Sequence, residues 1–140
     1  MTVANLRLNK IVAERNDKKV SDIEIKANST IVSMRREKDK RVGEYLLVKF
    51  KYLVSYEPGV GSIHLEGTLW YTHEDLDKQV KEEKNQIELK GDAVREITNT
   101  IIQESVIEAL DVSRKIVLPP PLQLPTVNVK QDKIKFTKAA

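Results

Sequence analysis

Apolar and polar residues alternate over two neighbouring stretches in the first half of the chain. From residue 45 to residue 56 every second side chain is apolar, and this face comprises Leu46, Val48, Phe50, Tyr52, Val54 and Tyr56. Residues 62–71 repeat the alternation, and Pro58, Gly59 and Gly61 lie between the two stretches. The pattern predicts two β-strands joined by a hairpin turn. We expect the first strand to be central in its sheet, because its second face is also partly apolar.

Two further strand patterns precede this hairpin. Residues 6–13 alternate weakly, whereas residues 23–31 place isoleucine and alanine on one face and charged or polar side chains on the other. In the hairpin's second strand, Gly67 interrupts the alternation, and a glycine within a strand marks a bulge or the close approach of another element. The first half of the chain therefore predicts four strands.

The second half of the chain has helical periodicity. From Val94 to Leu110 apolar residues recur at three- and four-residue spacing, which predicts a long amphipathic helix. The prolines of Leu118–Pro125 end it, and residues 72–86 predict a short surface helix before it. Because the strands precede the helices, we expect an α+β fold. It would have a four-stranded antiparallel sheet with the short and the long C-terminal helix packed on one face.

The apolar arc of the long helix is wider than a single stripe. It runs from Ile97 round to Leu110, and Ile107 lies outside it among polar residues. An isolated surface isoleucine is common in proteins and needs no cause. Alternatively, the sheet covers one side of the helix and a second subunit covers another. The wide arc and Ile107 together favour a homo-oligomer, with Ile107 and Ile97 as the interface candidates.

The charge of the chain is unevenly distributed. The net charge of +3 equals that of Thr126–Ala140 alone, where four lysines accompany one aspartate. A neutral body argues against a large phosphate-binding face. In 140 residues we expect one domain, at residues 1–127, followed by a basic and solvated tail at residues 128–140. A nucleic-acid-associated role for the tail is the alternative, although Phe136 is its only aromatic residue.

Composition narrows the class of protein further. The chain has no cysteine, no signal-like N-terminal run and no apolar stretch long enough to cross a membrane. We therefore expect a cytoplasmic protein without disulfides or membrane insertion. Charged residues make up 32% of the chain, and abundant lysine and glutamate are typical of heat-adapted proteins.

No motif in the sequence indicates catalysis. His64 and His73 lack the neighbouring ligands that a metal ion requires. The turn at Pro58–Gly61 leads into a strand instead of a helix, so it is not a phosphate-binding loop. We accordingly expect no catalytic residue, no metal and no cofactor, and a protein that is not an enzyme; a deep pocket with converging polar groups would revive the enzyme hypothesis.

Trp70 has two interpretations. It lies on the polar side of its predicted strand, where a large aromatic side chain is unusual. It either packs beneath the proline segment Leu118–Pro125 or lines an open apolar groove between that segment and the sheet.

The segment that follows the long helix also carries a family resemblance. Residues Ile116–Val127 resemble the segment after the long helix of the SecB protein-export chaperones, and Gly59–Ile63 and Glu66–Gly67 fall at that family's hairpin and bulged strand. The resemblance implies an antiparallel four-stranded sheet backed by helices, assembled as a dimer or a dimer of dimers. It also implies an apolar groove that holds unfolded or extended polypeptide.

The resemblance gives candidate residues for binding such a polypeptide, namely Trp70, Val117, Leu118, Leu122 and Leu124. The family tends to be acidic, which suits docking to a basic partner surface. This chain has a neutral body and a lysine-rich C terminus, and the difference argues against docking to an export ATPase. The function expected from the resemblance is a non-enzymatic binding protein or holdase.

Overall fold

The main sheet is antiparallel and is built from the first half of the chain. This computed structural model describes residues 2–121 and 133–139. The strands are β1 (Thr2–Arg15), β2 (Glu24–Asp39), β3 (Gly43–Glu57) and β4 (Gly61–Thr72). Their spatial order is β1-β4-β3-β2, so β3 and β4 are central. The predicted four-stranded antiparallel sheet is confirmed, and so is the central position of the strand at residues 45–56.

The second half of the chain contains a second sheet that the sequence analysis did not predict. The elements are α1 (Leu76–Gln79), β5 (Val80–Glu82), β6 (Gln86–Lys90), α2 (Gly91–Lys115) and β7 (Lys133–Thr137). Strands β5, β6 and β7 form an antiparallel sheet in that order. The predicted short helix is therefore only one turn long. It ends at Gln79 because Val80 adopts an extended conformation, and the buried Val80 side chain begins β5. The long helix is confirmed.

Strand β7 lies within the predicted basic tail. Ile134 and Phe136 alternate with lysines and pack against the core, so the expectation of a solvated tail is wrong at residues 133–137. The backbone N–H of Ala139 also donates to the carbonyl oxygen of Met34 in β2, at 2.8 Å. Lys133 lies 3.9 Å from Glu88, and such pairs partly neutralise the lysines that had suggested a nucleic-acid contact. The remaining tail residues 128–132 and 140 lie outside the described residues.

Helix α2 covers one face of the main sheet, which we call the inner face. The predicted apolar face of β3 is buried throughout, and so are Ile63, Leu65, Leu69 and Tyr71 of β4. Two apolar clusters lie along the helix. The cluster towards the helix N terminus includes Ile87 and Leu89 of the small sheet, and the cluster towards its C terminus includes Leu118. The wide apolar arc of α2 is therefore covered largely by this chain's own elements.

Gly67 occupies a position in β4 where no side chain fits. The register between β1 and β4 shifts twice beside it, between Ala4 and Arg7 and again between Leu8 and Lys10. A Cβ atom on Gly67 would lie 2.2 Å from the carbonyl oxygen of Arg7. The prediction that this glycine marks a bulge or a close approach is confirmed in both respects.

We expect Gly67→Ala to destabilise the protein, because the added methyl group forces β1 away from β4. Overpacking of this kind costs about 1–3 kcal/mol of unfolding free energy, and urea denaturation followed by circular dichroism measures it. Thr68→Ala is the matched control on the outward side of the same strand, where the loss should stay below about 1 kcal/mol. Equal stability of the two variants would contradict the close approach described here.

Candidate functional site

The end of helix α2 has the hydrogen-bond pattern of a Schellman motif. The N–H of Leu118 donates to the carbonyl oxygen of Ser113 at 2.9 Å, and the N–H of Val117 donates to that of Arg114 at 3.4 Å. This pattern requires a left-handed residue after the C-cap Ile116, and that residue is usually glycine. Here it is Val117, with φ at 57°. We call Ile116–Pro121 the exit segment.

Val117 is both strained and exposed. A β-branched side chain is rarely found in the left-handed region, because its Cβ crowds the neighbouring carbonyl, and the cost is about 1–3 kcal/mol. The burial of this side chain does not offset the cost, since 74% of Val117 is exposed. The fold thus holds a valine outward at a position where glycine would be more stable.

The exit segment is held against one end of the main sheet. The Leu118 side chain is buried against β4, and its Cδ1 lies 3.1 Å from the position that a Cβ on Gly61 would take. The Tyr56 hydroxyl donates a hydrogen bond to the carbonyl oxygen of Pro119 at 2.7 Å. Burial, together with neighbouring Tyr52, raises the pKa of Tyr56 to about 12. The hydroxyl therefore keeps its proton, and this hydrogen bond, at neutral pH.

An open pocket lies between the exit segment and the last turns of α2. Its volume is about 560 Å³, within the range of small-molecule and peptide side-chain sites. We call it the exit pocket; it is lined by Ile107, Leu110, Asp111, Ser113, Arg114, Leu118 and Pro120. The charges at its rim are paired, because Asp111 lies 3.1 Å from Arg114 and 3.0 Å from Lys115. The pocket therefore offers an apolar floor and a neutralised rim.

The two helix residues predicted at an interface have different environments. Ile107 is 61% exposed and lines the exit pocket, next to Leu118. Ile97 is fully buried against the sheet, so it offers no surface to a second subunit, and its assignment to an interface is corrected.

Trp70 lies away from the exit segment. It alternates with the buried residues of β4 and therefore projects from the opposite face of the sheet, which we call the outer face. There its ring stacks on that of Tyr45, with 4.1 Å between the ring centroids. Trp70 therefore lies apart from the described part of the proline segment, because it neither packs beneath Pro119, Pro120 or Pro121 nor shares a groove with Leu118. Leu122 and Leu124 lie outside the described residues.

Sequence reasoning included Pro120 in the segment expected to line a groove, but it did not identify Leu110 or Tyr56 as part of this site. Leu110 follows Ile107 by three residues on a helix, and that spacing places both side chains on one surface. The sequence analysis gave Leu110 only as one end of the wide apolar arc. Tyr56 was expected to be buried. Its hydrogen bond to Pro119 could not be predicted from the sequence, because it depends on how the exit segment folds back onto the sheet.

In residues 2–121 and 133–139 no group of three or more His, Cys, Asp or Glu side chains could hold a metal ion. His64 Nε2 lies 3.2 Å from Glu66, and His73 Nδ1 accepts the N–H of Asp75 at 2.9 Å. A second cavity, of about 230 Å³, lies beside the small sheet and is lined mainly by charged or polar side chains. No helix in the described part of the chain is long and apolar enough to span a membrane.

Comparisons with known proteins found a structural neighbour. No family model and no curated protein sequence matches the chain. Among solved structures it is similar to a Mycobacterium tuberculosis SecB-like chaperone, solved in complex with a ChAD peptide from the HigA1 antitoxin. The match covers 89% of this chain and 87% of the other, with a TM-score of 0.55 and 11% identity. At that identity the likeness concerns the fold, and the sequence-based resemblance is confirmed at that level: this chain has a distant SecB-like fold.

Proposed function

We propose that this protein binds extended or unfolded polypeptide without chemistry, in the manner of a holdase, and that the exit pocket and Val117 form its contact surface. The observation that carries the proposal is a strained, exposed valine beside an open apolar pocket. Strained residues that persist in a fold are concentrated at functional sites, and exposed apolar patches mark interaction surfaces.

The energetics of the exit pocket suit weak and reversible binding. Complete burial of a valine or isoleucine side chain contributes about 1.5–3 kcal/mol. Contacts with Val117 and Ile107 therefore provide a few kcal/mol before the ordering of the peptide is deducted. Binding through these contacts alone is therefore weak and reversible, which is compatible with the release of a client.

The structural neighbour supports a peptide-binding role. That SecB-like chaperone was solved with a bound peptide, so a protein of this fold class accommodates one. Of the residues predicted from the sequence, Val117 and Leu118 remain candidates on structural grounds. Leu122 and Leu124 remain candidates because they follow in the chain, and Trp70 is no longer included.

We expect Val117→Gly to stabilise the fold and to weaken peptide binding. Glycine adopts the left-handed conformation without strain, so we expect the unfolding free energy to rise by about 1 kcal/mol in urea denaturation. The same variant removes the exposed side chain, and it should bind a fluorescent apolar peptide several-fold more weakly in anisotropy titrations. If the variant binds the peptide as tightly as the unmodified protein, Val117 is not part of the contact surface.

Ile107→Asp should abolish most of the holdase activity. A carboxylate on the pocket floor loses its hydration when the peptide docks, so affinity should fall by about tenfold or more. The measurement is light scattering of a heat-unfolded client at stoichiometric ratio. The matched control is Val42→Asp, because Val42 is 50% exposed in the β2–β3 turn, away from the pocket.

The holdase experiment has two outcomes that would contradict the proposal. The unmodified protein could fail to suppress aggregation and fail to bind an apolar extended peptide. Alternatively, the Ile107 and Val42 variants could lose activity equally, which would mean that the exit pocket has no special role.

We further propose that the protein is a homo-oligomer whose subunits pair through strand β1. This strand is one edge of the main sheet, and its register is continuous from Lys10 to Arg15. Ile11 in that run is 52% exposed, and Val12 is exposed as well. Natural proteins seldom leave a long apolar edge open, because its free N–H and C=O groups pair with other strands.

Light scattering coupled to size-exclusion chromatography tests this arrangement. Ile11→Lys places a charge at the edge, and we expect it to lower the solution mass to that of a smaller species. Ile107→Asp should leave the mass unchanged. If Ile107→Asp lowers the mass and Ile11→Lys does not, the interface lies at the exit pocket and the β1 proposal is wrong.

A further inference from the structure

The outer face of the main sheet carries rows of side chains across its strands. Residues paired in register lie side by side on one face, about 4.5–5.5 Å apart. One row joins Arg7, Thr68 and Lys49, and the next joins Lys10, Glu66 and Lys51. The side chains in these rows are partly or fully exposed. This face is therefore accessible in the single chain, whereas the inner face is covered by α2.

Positive charge predominates in this part of the outer face. We call Arg7, Lys10, Arg35, Lys49 and Lys51 the cationic strip. Three carboxylates accompany it: Glu66, 3.4 Å from Lys10, Glu37, which pairs with Arg35, and Asp39, which lies near Tyr45 and 3.6 Å from Arg41. Among residues 2–121 and 133–139, no carboxylate lies within ion-pair distance of Arg7 or Lys49. The strip thus holds a local excess of positive charge on a chain whose first 125 residues are formally neutral.

Trp70 lies in the row next to Arg7 and Lys49. Its partners in register are Ala4 on β1 and Leu47 on β3, so the row is apolar at its centre. Stacking on buried Tyr45 fixes the indole ring, and the tryptophan remains partly exposed. Arg7 donates a hydrogen bond to the neutral Asn5 side chain at 2.9 Å and keeps its net charge. A fixed and partly exposed tryptophan beside cations without a carboxylate partner combines an apolar anchor with electrostatic attraction.

We propose that the cationic strip and Trp70 form a docking surface for an acidic polypeptide segment of a partner protein. Charge complementarity selects an acidic occupant. A sheet that binds single-stranded nucleic acid usually stacks two or three bases on exposed aromatic rings. Here Tyr45 lies buried beneath Trp70, which leaves one ring available. The surface is on the opposite side of the sheet from the exit pocket, so this inference does not depend on the proposed holdase function.

Trp70 provides a direct measurement, because it is the only tryptophan in the chain. The probe is a short glutamate-rich peptide with one central leucine, titrated into the full-length protein at low ionic strength. We expect the tryptophan emission to change on binding and the affinity to fall as salt is added. Arg7→Glu combined with Lys49→Glu should weaken binding about tenfold or more, because both residues flank Thr68 in the same row.

The matched control reverses two exposed lysines elsewhere, by combining Lys40→Glu with Lys84→Glu. These residues lie in the β2–β3 turn and in the β5–β6 connection, so the net charge changes equally while the strip stays intact. Circular dichroism establishes that both double variants are folded. Equal weakening in the two, or no binding of the peptide, would overturn the proposal. Tighter binding of oligouridylate than of the peptide would overturn it in favour of a nucleic-acid surface.

Discussion

The structure depends on burying the inner face of β3 and β4. Every second side chain of β3 from Leu46 to Tyr56 is apolar and points inward, and these six side chains must be shielded from water. Helix α2 is the only long helix among the described residues. The 25 residues of α2 span about 37 Å, whereas the 15 residues of β3 span about 50 Å. Other segments must therefore cover the two ends of β3 that α2 does not reach. The small sheet contributes Ile87 and Leu89 at one end, and the exit segment contributes Leu118 at the other.

The strain at Val117 follows from the way in which the exit segment covers the sheet. To reach Gly61 and Tyr56, the chain must reverse sharply after the last turn of α2, and the Schellman geometry achieves this. Glycine would make the same reversal without strain. Valine instead adds an exposed apolar side chain beside the exit pocket, and the free energy lost in the fold is recovered only if a partner buries that side chain.

Periodicity and glycine position were sufficient to predict the main sheet, the long helix and the close approach at Gly67, because each is determined by local pattern. Strand β7 was missed, since the alternation of Ile134 and Phe136 was outweighed by the lysines around them. Those lysines are partly neutralised by partners such as Glu88, which only the folded arrangement brings near. The surroundings of Trp70 and Ile97 were not predicted, because a period identifies a face without identifying what covers it.

The central claim is that polypeptide binds where α2 ends, and methyl NMR of the protein with labelled Ile, Leu and Val side chains tests it most directly. On titration with an apolar extended peptide, we predict the largest shift changes at Ile107, Leu110, Val117 and Leu118. The methyl groups of Leu47 and Leu53 on the outer face should remain unchanged. Shift changes confined to the outer face, or to Ile11 and Val12 at the sheet edge, would contradict the account.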